Sequence, residues 1–180
     1  MLSDLDDAIT KLDHMKDFNP ELLKKAAVVV QDFVEGYHEK LEEDFLSPRM
    51  RKAGQLVELV KTLDAQPSAG RLFTATIISL STVKSLKTAA DQSQLRRSLA
   101  EFVRMSRPHE AHENTVLFPQ FKKIVSEKEY LELGLEFERR GIKKFGKNAF
   151  ETVLTQITEV EKGMGLGDLN QFTFPVSPTS

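Results

Sequence analysis

The chain of 180 residues contains no cysteine and no tryptophan. Without cysteine it cannot form disulfides, thiolate zinc sites or cysteine nucleophiles. Glycine and proline are scarce, with 9 and 7 residues, and no useful stretch alternates apolar and polar residues, so strands are not expected. Since 40% of the residues are hydrophobic, the chain is long enough to form one globular domain with a sizeable core.

An excess of charge of one sign and long apolar runs are also lacking. Lys and Arg number 25 against 27 Asp and Glu, for a net charge of -2. No basic stripe predicts nucleic-acid binding, and no polybasic tract or apolar run predicts contact with a membrane. The acidic N-terminus is unlike a signal peptide. The sequence therefore predicts a cytoplasmic protein whose partners include neither nucleic acid nor membrane.

What the chain does contain is an eleven-residue stretch that occurs twice, over residues 38–48 and 109–119. The two copies align without a gap and share His, Glu, Glu, Leu and Pro in the same places. Each follows a stripe of residues three or four apart, which is typical of an amphipathic helix. The stripes are Leu22, Ala26, Val29, Phe33 and Tyr37 before the first copy, and Leu95, Leu99, Phe102 and Ser106 before the second.

Each copy places a histidine and a glutamate on the same face of its helix. Residues four apart lie one above the other, so His38 pairs with Glu42, and His109 with Glu113. Imidazole with carboxylate suits iron, manganese or zinc, and helical bundles hold such sites between facing helices. We therefore predict these residues as metal ligands and call them the four-residue site. The alternative for either pair is a solvated ion pair on the helix surface.

The remaining pattern predicts an all-α protein, with long helices in an up-down bundle. Residues 1–168 are expected to form the bundle domain and residues 169–180 a C-terminal tail. The positions of proline, glycine and capping residues predict where the helices begin and end. The expected helices are a short one over residues 3–14, one from Asn19-Pro20 to Ser47-Pro48, one over Glu127–Phe145 capped by Ser126, and one with an apolar stripe over residues 150–160. Between them, a kink or break is expected over residues 65–71 and a loop over residues 89–93.

Residues 33–43 and 107–119 resemble the hemerythrin-like proteins, the HHE cation-binding group, and the resemblance extends over residues 17–174. It implies an up-down four-helix bundle of hemerythrin-like type with extra C-terminal helices. It also implies iron bound between the helices, and a role in binding or sensing metal, oxygen or redox state. An enzyme, such as a di-iron oxidase, is not expected, because the sequence has no nucleophile triad, glycine-rich phosphate loop or thiolate. Carried over by position, the four-residue site matches ligands of that family.

Other ligand positions of the family differ here. Pro67 stands where a family histidine follows the glutamine at Gln66. Ile142 stands at another histidine position, and its side chain is expected to fill the space left by the imidazole. A third histidine belongs to a first-helix motif that the resemblance would place before residue 1, and His14 has no matching context. The expectation is a reduced site for one iron ion, and the alternative is a metal-free fold that serves as a structural or protein-interaction module.

Four other polar residues in the repeated stretches or near Ile142 are not predicted as main ligands. His112 lies off the main stripe and is expected at the surface. Glu43 and Glu110 are expected to face solvent. Glu138, one helical turn before Ile142, is a weaker candidate for a further ligand oxygen.

Overall fold

The computed structural model describes residues 19–166, together with Leu5, Ile9 and Asp168. The predictions for His14, for most of the helix over residues 3–14 and for the tail over residues 169–180 fall outside the described residues. Leu5 is helical and fully buried in the core. The described residues form helices and no strand, which confirms the all-α class.

The first long helix, α1, runs without interruption over residues 20–52. Asn19 caps it by accepting a hydrogen bond from the backbone N–H of Glu21. Two of its segments have π-helical hydrogen bonding. In order, α1 consists of α-helix Pro20–Val29, π-helix Val30–His38, α-helix Glu39–Leu41, π-helix Glu42–Leu46 and α-helix Ser47–Lys52.

Four further helices follow. Helix α2 is Val57–Leu80, and a short 3₁₀ turn, Ser85–Lys87, leads to α3. Helix α3 is also continuous. It consists of α-helix Ala89–His112, π-helix Glu113–Leu117 and α-helix Phe118–Ile124. Helix α4 is Glu127–Phe145 and helix α5 is Ala149–Met164, which ends at Gly165 in the left-handed conformation.

Two hydrophobic clusters pack between the helices and define their directions. The N-terminal cluster joins the first halves of α1 and α3 to the C-terminal part of α2 and to α5. The C-terminal cluster joins the ends of α1 and α3 to the beginnings of α2 and α4. Helices α1 and α3 are therefore parallel, and α2 is antiparallel to both. Helices α4 and α5 lie one after the other beside α1 and run opposite to it.

The two copies of the repeated stretch lie between the clusters. On α1, His38 and Glu42 fall between the buried residues Val30 and Leu46, and the pair on α3 is enclosed in the same way. The clusters therefore hold the two parallel helices at a fixed distance on both sides of the pairs. Among the residues described, no helix combines the length and apolar character needed to cross a membrane.

Several predicted boundaries were wrong, because packing outweighs local signals. A kink or a break is expected over residues 65–71, and the break is absent, since α2 continues through Pro67. An interior proline costs about 3 kcal/mol, but Pro67 is buried, so packing offsets the cost. The expected loop over residues 89–93 is already helical, because Thr88 accepts a hydrogen bond from the N–H of Asp91 and caps α3.

The expected end of the helix at Ser47-Pro48 was also wrong, since α1 continues to Lys52. The predicted helix Glu127–Phe145 with its Ser126 cap is confirmed. On α5 only one side of the predicted stripe is covered: Val153 and Val160 are buried, while Phe150 and Leu154 are exposed.

Candidate metal centre

Three residues of the four-residue site, His38, Glu42 and Glu113, converge where α1 and α3 face each other, and His109 joins them only through its contact with Glu113. On α1, Nε2 of His38 lies 3.1 Å from Oε1 of Glu42. Across the helices the same nitrogen lies 3.8 Å from Oε2 of Glu113. On α3, Nε2 of His109 lies 2.6 Å from Oε1 of Glu113. Glu113 therefore contacts both imidazoles and links the two copies of the repeated stretch.

Burial differs across the site and shows which side is open. The side chain of Glu113 is 6% exposed, and those of Glu42 and His109 are 14% and 16% exposed. His38 is 42% exposed. The site is therefore closed around the carboxylates and reached from outside past the His38 imidazole.

A π-helical segment begins at the glutamate of each pair. The segments are Glu42–Leu46 and Glu113–Leu117, and a proline follows each after one further residue, at Pro48 and Pro119. A proline has no N–H to donate and its ring clashes with the carbonyl four residues earlier. The wider π turn relieves this conflict, since the N–H of Ser47 bonds to Glu42 O and that of Phe118 to Glu113 O. In both copies, therefore, the π turn that begins at the glutamate occurs together with the proline that follows it.

Gln66 on α2 orients the His109 imidazole by contacting Nδ1, the ring nitrogen that does not face Glu113. Its Oε1 lies 2.6 Å from Nδ1 of His109. A carbonyl oxygen only accepts, so Nδ1 donates to Gln66. Nε2 donates to Glu113 when the ring is protonated, and its lone pair is free for a metal when the ring is neutral. Metal-bound histidines in proteins are held in this way by a partner on the second nitrogen.

Three residues of the site, His38, Glu42 and Glu113, could hold a metal ion. Oε1 of Glu42 and Oε1 of Glu113 are buried and accept no hydrogen bond of regular geometry, although each lies near an imidazole nitrogen. Buried oxygens without such a bond are rare and call for a partner. One ligand atom from each of His38, Glu42 and Glu113 lies within 4.8 Å of the others. Since ligands lie about 2.0–2.2 Å from zinc or a similar ion, a small contraction would bring these three to one centre.

Electrostatics inside the site couple the imidazoles to the carboxylates. Hydrogen bonds to Glu113 and Glu42 raise the pKa of His38 to about 10. Burial favours the neutral form of Glu113, but bonds to His109 and His38 outweigh it and lower the pKa to about 2. The pKa of Glu42 is raised, chiefly by burial. In the metal-free protein a protonated His38 therefore faces an ionised Glu113.

A second polar cluster adjoins the site on α1 and α2. Nη2 of Arg71 lies 3.0 Å from Oε2 of Glu39 and 2.9 Å from Oε1 of Glu43. Glu35, one turn earlier, is buried beside Thr74, and burial raises its pKa. Glu43 therefore pairs with Arg71 rather than facing solvent alone as predicted. Sequence reasoning gave no role to Glu35 or Glu39, although they precede Glu43 at steps of four.

The other candidates lie apart from the site. Ile142 is 40% exposed, so the prediction that it fills the space of an imidazole was wrong. Its neighbour Gly141 is buried and lies against the hydroxyl of Tyr37, which turns Ile142 outward. Pro67 does line the cavity beside His109.

The remaining polar candidates lie on the surface. His112 and Glu110 are exposed, as expected, and Nδ1 of His112 lies 2.6 Å from the carbonyl oxygen of Pro108. Glu138 is exposed on α4, so its side chain does not join the buried carboxylates of the site.

Comparison with known proteins gives relatives but no function. No family model matches the chain, and no solved structure matches it. Uncharacterized proteins of Mycobacterium tuberculosis, strains H37Rv and CDC 1551, and of Mycobacterium bovis are 32% identical to it over 151 residues. The match covers 84% of this chain and 59% of each relative. The chain thus spans about three fifths of the length of the curated relatives it matches.

Proposed function

We propose that this chain is a hemerythrin-like domain that binds one metal ion, iron, through His38, Glu42, His109 and Glu113. The observation that carries the proposal is the convergence of His38, Glu42 and Glu113 within 4.8 Å, with His109 against Glu113. A pair of imidazoles with two carboxylates is a reasonable donor set for iron, manganese or zinc. Iron is chosen because the resemblance to the HHE group implies it.

The directions of the helices support the hemerythrin-like type. Helices α1, α2 and α3 alternate in direction, and α4 followed by α5 forms the fourth antiparallel side. In an up-down bundle of this kind, side chains from facing helices build the metal site in the core. The two pairs occupy that position here, between the two hydrophobic clusters.

The role that fits such a site is binding or sensing of metal, oxygen or redox state rather than catalysis. Two positions at which the family carries histidines hold Pro67 and an exposed Ile142, neither of which offers a ligand atom. The site would therefore hold one ion where the family holds two. Its access past the half-exposed His38 suits an ion that exchanges with solvent.

A metal-free module for structure or protein interaction is the second candidate, and the ion pairs favour it. Protonated His38 and His109 can neutralise Glu42 and Glu113 at the observed distances without any metal. The two candidates differ in the effect of a chelator. A metal bound to the native state raises the melting temperature by mass action, so its removal must lower it. A metal-free module melts at the same temperature with and without chelator.

The number of metal ions bound per chain distinguishes the metal-binding domain from the metal-free module. The protein is purified without chelator, reconstituted with ferrous iron, manganese or zinc in turn, and analysed by plasma mass spectrometry. We expect about one ion per chain, and loss of that ion in Glu113→Gln and His38→Ala. His112→Ala is the matched control, since His112 is an exposed histidine on the same helix, and it should keep the ion. No metal after reconstitution, or equal content in all variants, contradicts the proposal.

A further inference from the structure

A cavity of about 450 Å³ lies between α1, α2 and α3, directly beside the four-residue site. Binding sites for small molecules are typically cavities of about 300–1,000 Å³ with mainly apolar walls and a few polar groups. The apolar wall here includes Val30, Phe33, Val34, Phe102, Met105 and Phe118. The polar end is formed by His38, His109 and Glu113, among others.

Gly70 on α2 keeps this space open. A Cβ atom at Gly70 would lie 3.3 Å from Cε of Met105 and 4.0 Å from Cε2 of Phe102, and both residues line the cavity. A larger side chain at Gly70 would therefore occupy the cavity. Gly70 is buried in the middle of a helix, where glycine costs about 0.5–1 kcal/mol relative to alanine.

The walls select an aromatic ligand. Three phenylalanine rings and a methionine thioether favour a flat ring, by edge or offset contact with the rings and by sulfur–aromatic contact. A cavity of about 150 Å³ is large enough to hold benzene. The present cavity is about three times larger, so it has room for two fused rings with a substituent.

The polar end selects a hydroxyl group on that ligand. The Glu113 carboxylate lines the cavity, and its buried Oε1, which lies 2.6 Å from Nε2 of His109, accepts no hydrogen bond of regular geometry. A ligand that donates an O–H there would provide one, and charge-assisted bonds of this kind are about twice as strong as neutral ones. A ring without a donor would leave the oxygen as it is and gain only the apolar contacts.

We propose that the cavity between α1, α2 and α3 binds a small one- or two-ring phenol, with its ring against Phe33, Phe102 and Met105 and its hydroxyl donated to Glu113. This binding goes beyond the proposed metal binding and does not require it, because the walls and the acceptor are present in the metal-free chain.

The experiment uses 2-naphthol as the probe and naphthalene as the probe without a donor. Both are titrated into the full chain, in chelated and in iron-reconstituted form, and followed by probe fluorescence. The chain has no tryptophan, so protein emission does not obscure the signal. We expect saturable 1:1 binding of 2-naphthol to the chelated form, with naphthalene weaker by about tenfold, a loss of about 1.4 kcal/mol.

Two glycine variants test the location. Gly70→Leu fills the cavity and should weaken 2-naphthol binding by at least about tenfold. Gly134→Leu is the matched control, because Gly134 is also inside a helix but has no neighbour within 4 Å of an added Cβ, and it should leave binding unchanged. Equal affinities in the two variants would overturn the proposal, as would the absence of saturable binding.

A measurement without a variant covers the case in which Gly70→Leu does not fold. The protein is labelled with ¹³C at the methionine methyl groups and titrated with 2-naphthol. Ring currents should shift the methyl of Met105, which lines the cavity, and leave that of Met50, which is buried in the C-terminal cluster. Shifts of equal size, or none, contradict the proposal. Metal content is read separately, so a failure of phenol binding does not imply a failure of metal binding.

Discussion

Gln66 is the residue that most directly controls the orientation of a ligand, since its Oε1 lies 2.6 Å from Nδ1 of His109. We predict that Gln66→Leu weakens metal binding by about 10–100-fold, the usual effect of losing a partner behind a metal-bound histidine. Gln120→Leu is the control, because Gln120 bonds only to Gln55 at the surface in the contacts described. Affinities are measured by competition with a chelator of known strength. Equal affinities would show that the contact with Gln66 does not hold His109 in position as a ligand.

The pH dependence of the metal-free protein follows from His38 and Glu113. The pKa of His38 rises from 6.5 to about 10 in the folded chain, so its stabilising effect is complete below pH 6.5 and is lost as pH rises through 10. The pKa of Glu113 falls from 4.5 to about 2, so its effect is complete above pH 4.5 and is lost as pH falls through 2.

The prediction is a maximum of this contribution between pH 4.5 and 6.5. It is measured as the free energy of unfolding in urea of the chelated chain, minus that of His38→Gln, over a pH series. The difference should shrink toward pH 10. A difference that stays constant would show that His38 makes no charged contact in the folded chain. His112→Gln, at an exposed position, should give a flat difference throughout.

On α1 and on α3, the π segment that begins at the glutamate of the site ends two residues before a proline. Replacing Pro119 by Ala restores an N–H and removes the clash that the wide turn relieves. We predict that Pro119→Ala returns this part of α3 to regular α-helix, turns Glu113 away from His38, and weakens metal binding by about tenfold or more. Helix content by circular dichroism should not change.

Pro108→Ala is the control for that experiment. Pro108 also lies inside α3, but the helix before it is regular α-helix and not a π segment. It should keep the affinity of the parent chain. If both proline variants bind metal as the parent does, the π segment has no influence on the position of Glu113.

Helices and their caps follow from local sequence, whereas contacts between helices do not. The all-α class and the helix Glu127–Phe145 could be predicted, because stripes and caps are local. The facing of the two His–Glu pairs could be anticipated from the repeat. Gln66 behind His109 and Arg71 between two glutamates could not, because spacing within one helix does not show which side chains meet from another. At Ile142, a difference of one residue from Gly141 was enough to turn the side chain outward.

For the whole molecule, the two hydrophobic clusters supply the rigidity on which the site depends. Leu99 is fully buried in the N-terminal cluster. We predict that Leu99→Ala lowers the free energy of unfolding by about 2–5 kcal/mol, through lost burial and the cavity left behind. Leu131→Ala, at a leucine of α4 that is 63% exposed, should change it by less than about 0.5 kcal/mol. Urea denaturation measures both, and equal effects would contradict the described core.

The placement of all four predicted ligands on two helices far apart in the sequence has a further consequence. A metal held by His38 and Glu113 would join two points 75 positions apart, from residue 38 to residue 113. Unlike a disulfide, such a link does not restrict the unfolded chain, because the ion binds only the folded one. It stabilises by mass action, by about 2.7 kcal/mol when free metal is at one hundred times its Kd. In a chain that has no cysteine, the bound ion would join the two helices where no disulfide can, and it would be a cross-link that a chelator can open.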